Sequence, residues 1–322
     1  MNDEFPEIIR IEPVGRCNYK CIHCTVPTGK DGPNNRQILP KEDFDYRINQ
    51  FISNGYVPRV VVLHHGGEPL LNENLSYFVK ELKKIGVDKV SITTNASILT
   101  EKRSKELIQS GLDEIRFSFD GESPEENNYI RINSNFFRDA DNVKGFLKIR
   151  RELHRENLKV IINNVQIIDW DGVSYFPAKN KNPLYHKVDV PSYITEYFSN
   201  ELGEIEISSA AAIVFPYLEE SEDFDIIEYE STKPKYCGRL FETFTILTDG
   251  NVALCCNDLK GELILGNIYQ KTIFEIWNDN KYDKIRKNFR KQKYCDLCSN
   301  CSVVTPRYLS KTKNYKNRIK NV

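Results

Sequence analysis

Three cysteines, Cys17, Cys21 and Cys24, are spaced C-x3-C-x2-C and directly follow an apolar run over residues 8–14. Thiolates are soft ligands. Three are one too few to close a tetrahedral metal site, or to hold every iron of a 4Fe–4S cube. A centre short of one protein ligand keeps a coordination position for something else, which separates reactive metal sites from structural ones. The plain alternatives are a zinc site lacking its fourth ligand and three unrelated thiols. A second group lies far along the chain: Cys237, Cys255, Cys256, Cys295, Cys298 and Cys301. Residues 244–254, between the first two of these, read as a hairpin with Asp249-Gly250 as a type I′ turn pair. Such a hairpin makes cysteines distant in sequence neighbours in space. A four-thiolate zinc ribbon is the structural alternative there.

At 322 residues the chain is long enough for one large domain and a smaller one. Basic and acidic residues balance, 45 against 46, so nothing global points to nucleic acid or a membrane surface. A mean hydropathy of −0.51 without a long apolar run excludes a membrane-spanning helix. The first residues carry neither a basic nor an apolar signal region, so no secretory signal is visible. Nine cysteines, an odd count grouped at short spacings, favour metal ligation over disulfides. The expected compartment is the cytoplasm.

Strand patterns at residues 8–14, 59–65, 88–94, 114–120, 159–168 and 204–214 alternate with helical patterns at 41–54, 73–85, 100–110, 135–156 and 191–202. Strands alternating with helices imply a parallel sheet, and six units imply an incomplete barrel. An irregular insertion falls at 169–190. The acidic stretch 216–236 is expected to link the barrel, 1–215, to a cysteine domain at 237–302, where residues 273–289 read as one amphipathic helix. The basic end, 303–322, reads as a solvated tail. In parallel barrels functional groups collect at the C-terminal ends of strands. The cysteine triplet, Gly66-Gly67-Glu68-Pro69, Thr93-Thr94-Asn95 and Ser118-Phe-Asp120-Gly121 all fall at such ends.

Together these strand ends resemble the radical S-adenosylmethionine (SAM) superfamily. The resemblance implies that Cys17, Cys21 and Cys24 hold a 4Fe–4S cluster whose open iron takes SAM. It implies that Gly66, Gly67, Glu68 and Pro69 form the family's GGEP motif beside the SAM amino group. Asn95 belongs to a T-N-G-like segment with Ala96 in place of glycine. Ser118 and Arg131 match positions that contact the SAM carboxylate or ribose, and a guanidinium suits a carboxylate. One-electron reduction of SAM then releases methionine and a 5′-deoxyadenosyl radical that takes hydrogen from an unactivated C–H bond. His64, His65 and Glu12 are weaker acid–base candidates, read more simply as structural.

The second cysteine region, with C-x12-G-x4-C, Leu265-Gly-Asn-Ile268 and Glu275-Ile-Trp277, resembles the SPASM/twitch extension of that superfamily. The resemblance implies one auxiliary 4Fe–4S cluster on Cys237, Cys255, Cys295 and Cys298, with Cys301 as an alternative ligand. Cys256 is left over, either inert or a hydrogen-atom donor near the radical site. The implied reaction is oxidation of a small-molecule or sugar-like alcohol, with maturation or epimerisation of a ribosomal peptide as the alternative. A flavodoxin or ferredoxin would supply electrons. A non-enzymatic zinc-binding interaction protein is the reading from another class; it leaves the GGEP-like and S-x-D-G-like strand ends without a purpose.

Overall fold

The computed structural model describes residues 5–26, 37–170 and 186–320. Its first half runs β1 (Ile8–Ile11), β2 (Lys20–Cys21), α1 (Lys41–Ser53), β3 (Val60–Val62), α2 (Leu75–Lys84), β4 (Lys89–Thr94), α3 (Glu101–Gln109) and β5 (Glu114–Asp120). Then follow α4 (Pro124–Ile130), β6 (Arg131–Ile132), α5 (Phe136–Glu152), β7 (Lys159–Gln166), α6 (Ser192–Tyr197) and β8 (Glu206–Ala211). The remainder comprises β9 (Phe224–Glu228), α7 (Gly238–Phe241), β10 (Thr243–Ile246), β11 (Asn251–Ala253) and β12 (Ile264–Asn267). The chain ends with α8 (Ile273–Trp277), α9 (Asn280–Arg290), α10 (Asp296–Ser299), β13 (Arg307–Lys311) and α11 (Lys313–Lys320). Most of the insertion expected at 169–190 lies outside the described residues.

Strands β1, β3, β4, β5, β7 and β8 pair in parallel in the order of the sequence, giving the partial (β/α)6 barrel. Successive strand side chains point to opposite faces. Ile9, Ile11, Val61, Leu63, Val90, Ile92, Ile115 and Phe117 form one core with Phe44 and Phe51 of α1 and Phe78 of α2. The Phe44 and Phe78 rings stack 4.0 Å apart. Burying each such side chain stabilises by about 1.5–3 kcal/mol. The alternate positions carry polar groups: Arg10, Thr93 and Ser118 line a cavity. A parallel sheet packed on both faces would be apolar at these positions too.

The sheet does not stop at the barrel. Strand β10 pairs in parallel with the free edge of β1, from Ile8↔Thr243 to Ile11↔Ile246, and β11 and β12 add antiparallel beyond it. The result is one nine-stranded sheet that continues past the acidic stretch. Arg47 of α1 is fully buried and donates from Nη2 to the carbonyls of Leu247 and Thr248, both at 3.0 Å. It thereby locks the barrel to the hairpin.

Four expectations are corrected. The acidic stretch 216–236, expected to be a linker, contains strand β9, and its Phe224 is buried. The hairpin turn spans four residues, not the two of a type I′ pair: Gly250 N donates to Leu247 O (3.1 Å) and Leu247 N to Asn251 O (2.8 Å). Gly250 alone takes a left-handed φ, +80°, while Asp249 does not; a type I′ turn needs both. The expected helix over 273–289 breaks after Trp277, because Asp279 caps a new helix by accepting from Lys281 N at 2.8 Å. The basic end is not a solvated tail. Strand β13 pairs antiparallel with β9, and Tyr315 of α11 is buried, its hydroxyl 2.6 Å from Glu126.

Candidate active site

The cysteine loop is held at several points. Strand β2 pairs antiparallel with β6, which makes Cys21 and Arg131 register partners, and Ile22 N donates to Ile130 O at 2.9 Å. Glu68 N donates to Arg16 O at 3.0 Å, binding the Gly-Gly-Glu-Pro turn to the loop. Gly67 makes that approach possible: a Cβ there would lie 2.3 Å from Val14 O and 2.4 Å from Arg16 O. Asn95 Nδ2 donates to Asn18 Oδ1 at 2.9 Å, joining the end of β4 to the same loop. Ala96, in the place of the family's glycine, sits buried at φ +62°, the left-handed region that glycine favours.

These contacts frame a cavity of about 350 Å³ lined by Cys17, Cys21, Cys24, Gly67, Glu68, Asn95, Ser118 and Arg131. With Cys256, which lines it too, nine of the expected site residues share one space. Gly66 and Pro69 are not among its lining residues; Gly66 N donates to Glu12 Oε1 (3.2 Å), and Pro69 begins a buried one-turn 3₁₀ helix. Glu68 knits the wall together. Its Oε1 accepts from Thr94 Oγ1 (2.6 Å) and Leu70 N (3.0 Å), and its Oε2 from Asn95 N (2.8 Å). Burial pushes its pKa up, against the pull of those donors. Arg131 is buried and donates from Nη1 to Asp120 Oδ2 at 2.8 Å, so it is no surface arginine. Its position comes from the local chain: Ser123 caps α4, Asn127 accepts from Asp120 N, and the helix ends at Arg131.

His64 and His65 both line the cavity. Burial holds the His64 pKa well below the ordinary imidazole value, and Arg10, His65 and Arg116 lower it further. Glu12 is a buried strut, accepting from Gly66 N and from Thr248 N (3.2 Å). The sequence reading did not single out Arg10, His23, Phe215, Asn257 and Leu259 as lining residues. Arg10 had a signal, being the lone charge within an apolar strand; Asn257 had none.

The second group gathers around β11 and α10. Cys237, Cys255, Cys298 and Cys301 line one small apolar pocket with Leu240, Leu254, Leu297 and Val304. Cys295 accepts a hydrogen bond from the Cys298 thiol and does not line that pocket. Asn257 Nδ2 donates to Cys301 Sγ at 3.3 Å, and Asn257 N donates to Cys255 Sγ at 3.4 Å. Asn257 and Cys256 also line the large cavity, so one short segment separates the two cysteine sets.

The donor chemistry fits iron–sulfur clusters. Burial first, then the charge of Glu68, pushes the Cys17 thiol up to about 12; burial and Cys21 push Cys24 up to about 12. Such thiols ionise when a metal's charge replaces the proton. Among the described residues no three His, Cys, Asp or Glu side chains converge tightly enough for one metal ion.

A partial barrel with three thiols at one cavity wall and a second thiol nest beside it defines a cluster-bearing, SAM-dependent class of enzyme. The chain belongs to the radical SAM superfamily: that family's profile matches residues 11–169, and an iron–sulfur cluster-binding (SPASM) domain matches residues 237–302. Its cofactors are a 4Fe–4S cluster, SAM and auxiliary iron–sulfur chemistry. The chain is 27% identical over 325 residues to a GTP 3′,8-cyclase of Aquifex aeolicus (strain VF5), covering 90% of this chain and 95% of that protein. It also resembles the structure of BtrN in complex with AdoMet and 2-DOIA, with a TM-score of 0.55 at 19% identity, covering 93% and 94% of the two chains. Streptococcus suis SuiB bound to precursor peptide SuiA gives a TM-score of 0.56 at 18% identity, covering 93% of this chain and 70% of SuiB. No helix among the described residues is long and apolar enough to cross a membrane.

Proposed function

We propose that the protein oxidises a hydroxyl-bearing small molecule, with the auxiliary cluster as electron acceptor. One observation carries this reading. The cavity touches the cysteine triplet on one side and Cys256–Asn257 on the other, and Asn257 contacts the sulfurs of Cys301 and Cys255. A substrate there lies one residue away from the second thiol nest. Bound SAM, reduced through the first cluster, supplies the hydrogen-abstracting radical. The substrate would lose that hydrogen atom, then a proton to a base and an electron to the cluster that Cys237, Cys255 and Cys298 would help to hold, becoming a carbonyl compound. The fold shared with BtrN over most of both chains supports the choice. An external one-electron donor of the flavodoxin or ferredoxin kind completes the cycle, and the cytoplasm suits such a partner.

Cys17, Cys21 and Cys24 are the proposed ligands of the first cluster. Glu68, Asn95, Ser118 and Arg131 are proposed around SAM, with Gly66, Gly67 and Pro69 shaping the turn. The proposed domains remain a barrel over 1–215 and an auxiliary unit over 237–302. Cys237, Cys255 and Cys298 are proposed auxiliary ligands. The fourth is Cys295 or Cys301, and the burial of Cys301 in the shared pocket favours the latter. Cys301→Ser is then expected to lower the iron content from about eight per chain toward four. Cys295→Ser is expected to leave it nearly unchanged. Parallel iron and sulfide assays check this, and the opposite pattern assigns Cys295.

A second reading rests on Cys256, which lines the cavity: a thiol there can return a hydrogen atom, making the reaction an epimerisation of a small molecule or peptide. Anaerobic turnover in D2O of candidate substrates from neighbouring genes separates the two. Loss of two mass units supports oxidation, whereas deuterium in the product supports Cys256 and rejects oxidation.

A further inference from the structure

We propose that Lys311 and Tyr315 are positioning residues for SAM. They hold the buried Glu126 carboxylate, and through it the turn and helix that place Arg131. This rests on Arg131 contacting SAM, as proposed above. Strand β13 and helix α11 form a strap fastened just past the ends of β7 and β8: Lys311 N donates to Ile168 O at 3.0 Å and Leu309 N to Ala212 O at 2.9 Å. Leu309 and Tyr315 share an apolar cluster with Ile130 of α4, and Ile22, between Cys21 and Cys24, packs against it. The strap thus braces the cysteine loop and α4 together.

Glu126 is where the strap meets the site. Its Oε1 accepts from the Tyr315 hydroxyl at 2.6 Å and lies 2.9 Å from Lys311 Nζ. Its Oε2 accepts from Glu122 N at 2.9 Å. Lys311 also pairs with the Glu122 carboxylate, so one ammonium faces both acids. Gly121 lies so close to this side chain that a Cβ there would stand 2.7 Å from Glu126 Cγ. In the same turn Asn127 Oδ1 accepts from Asp120 N at 2.9 Å, and Asp120 Oδ2 accepts from Arg131 Nη1 at 2.8 Å. Cys21, Asp120 and Cys17 supply the negative charge around Arg131. Residues 307–320 contain no acidic side chain to pair with it, so the influence of the strap runs through Glu126. Without Lys311 or the Tyr315 hydroxyl, that carboxylate would be buried short of partners. The chain relieves such a cost by moving α4, and Arg131 with it, toward water. A guanidinium recognises a carboxylate through a fork of fixed geometry, so displacement weakens the contact.

The test is reductive SAM cleavage by the cluster-loaded protein, with SAM varied so that KM and kcat separate. Tyr315→Phe and Lys311→Met are each expected to raise the SAM KM about tenfold, as loss of a hydrogen bond to a charged group can, and to change kcat much less. Lys311→Arg, which keeps the charge, should restore most of the affinity. Iron content and a cooperative unfolding transition confirm assembly; should Lys311→Met not assemble, Tyr315→Phe, which removes a single oxygen, decides alone. Action through Arg131 makes a further demand. In an Arg131→Gln background Tyr315→Phe should raise KM no further, whereas an independent structural role would add its own loss. An unchanged KM in Tyr315→Phe, a fall in kcat and iron content at constant KM, or additive losses over Arg131→Gln overturns the proposal. Arg131→Gln alone separates the two levels. A raised KM there, with normal KM in the strap variants, removes only the strap; an unchanged KM there removes Arg131 from SAM, and the proposal with it.

Discussion

Replacing Cys17, Cys21 and Cys24 together with alanine is expected to reduce 5′-deoxyadenosine formation to background. Iron should fall from about eight to about four per chain, with the remaining cluster still visible spectroscopically. The three thiols line one cavity wall, and among the described residues no other cysteine of the barrel portion stands by to replace them. The second nest rests on other elements, β11, α7 and α10, and on apolar packing that the triple replacement leaves in place. Loss of all iron would mean that the two sites assemble as one. Retention of SAM cleavage would remove the triplet from the chemistry.

Gly67→Ala is expected to be nearly as damaging, although it removes no ligand. The added methyl would meet three backbone atoms within 2.8 Å, belonging to Val14 and Arg16, and neither carbonyl can rotate away as a side chain would. Overpacking of this kind costs roughly 1–3 kcal/mol. The larger consequence is displacement, because the clash falls one residue before Cys17. A shift of about 1 Å in a reactive group can lower rates about 100-fold. SAM cleavage should fall by about that factor, while the auxiliary cluster and the cooperative unfolding transition persist. Near-normal cleavage by Gly67→Ala would show that the turn and the cysteine loop move independently.

Much of the barrel was legible because each strand has a clear pattern. Ile9, Ile11, Ile115 and Phe117 mark the helix-packed face, and Arg10, Thr93 and Ser118 interrupt the apolar runs at the cavity face. The cysteine spacings and strand ends were local, so the residues named from them could be found without the fold. What escaped was set by pairings between distant segments. Nothing in residues 243–246 says that they will extend β1 rather than form a separate sheet. The two-residue pairing of Cys21 with Arg131 is too short to leave a pattern. The basic composition of the C-terminal segment hid Tyr308, Leu309 and Tyr315, whose burial makes it a strap across β9 and α4. At the four-residue turn a Cβ on Gly250 would lie 2.4 Å from the ring of Tyr269, a contact between separate segments that no local pattern shows.

The central claim is that the first cluster keeps an iron for SAM to ligate. Electron–nuclear double resonance on the reduced protein tests it most directly, using SAM isotopically labelled at its amino nitrogen and carboxylate oxygen. Hyperfine coupling of both labels to the cluster is the expected result. Coupling from neither label, with SAM demonstrably bound, would contradict it.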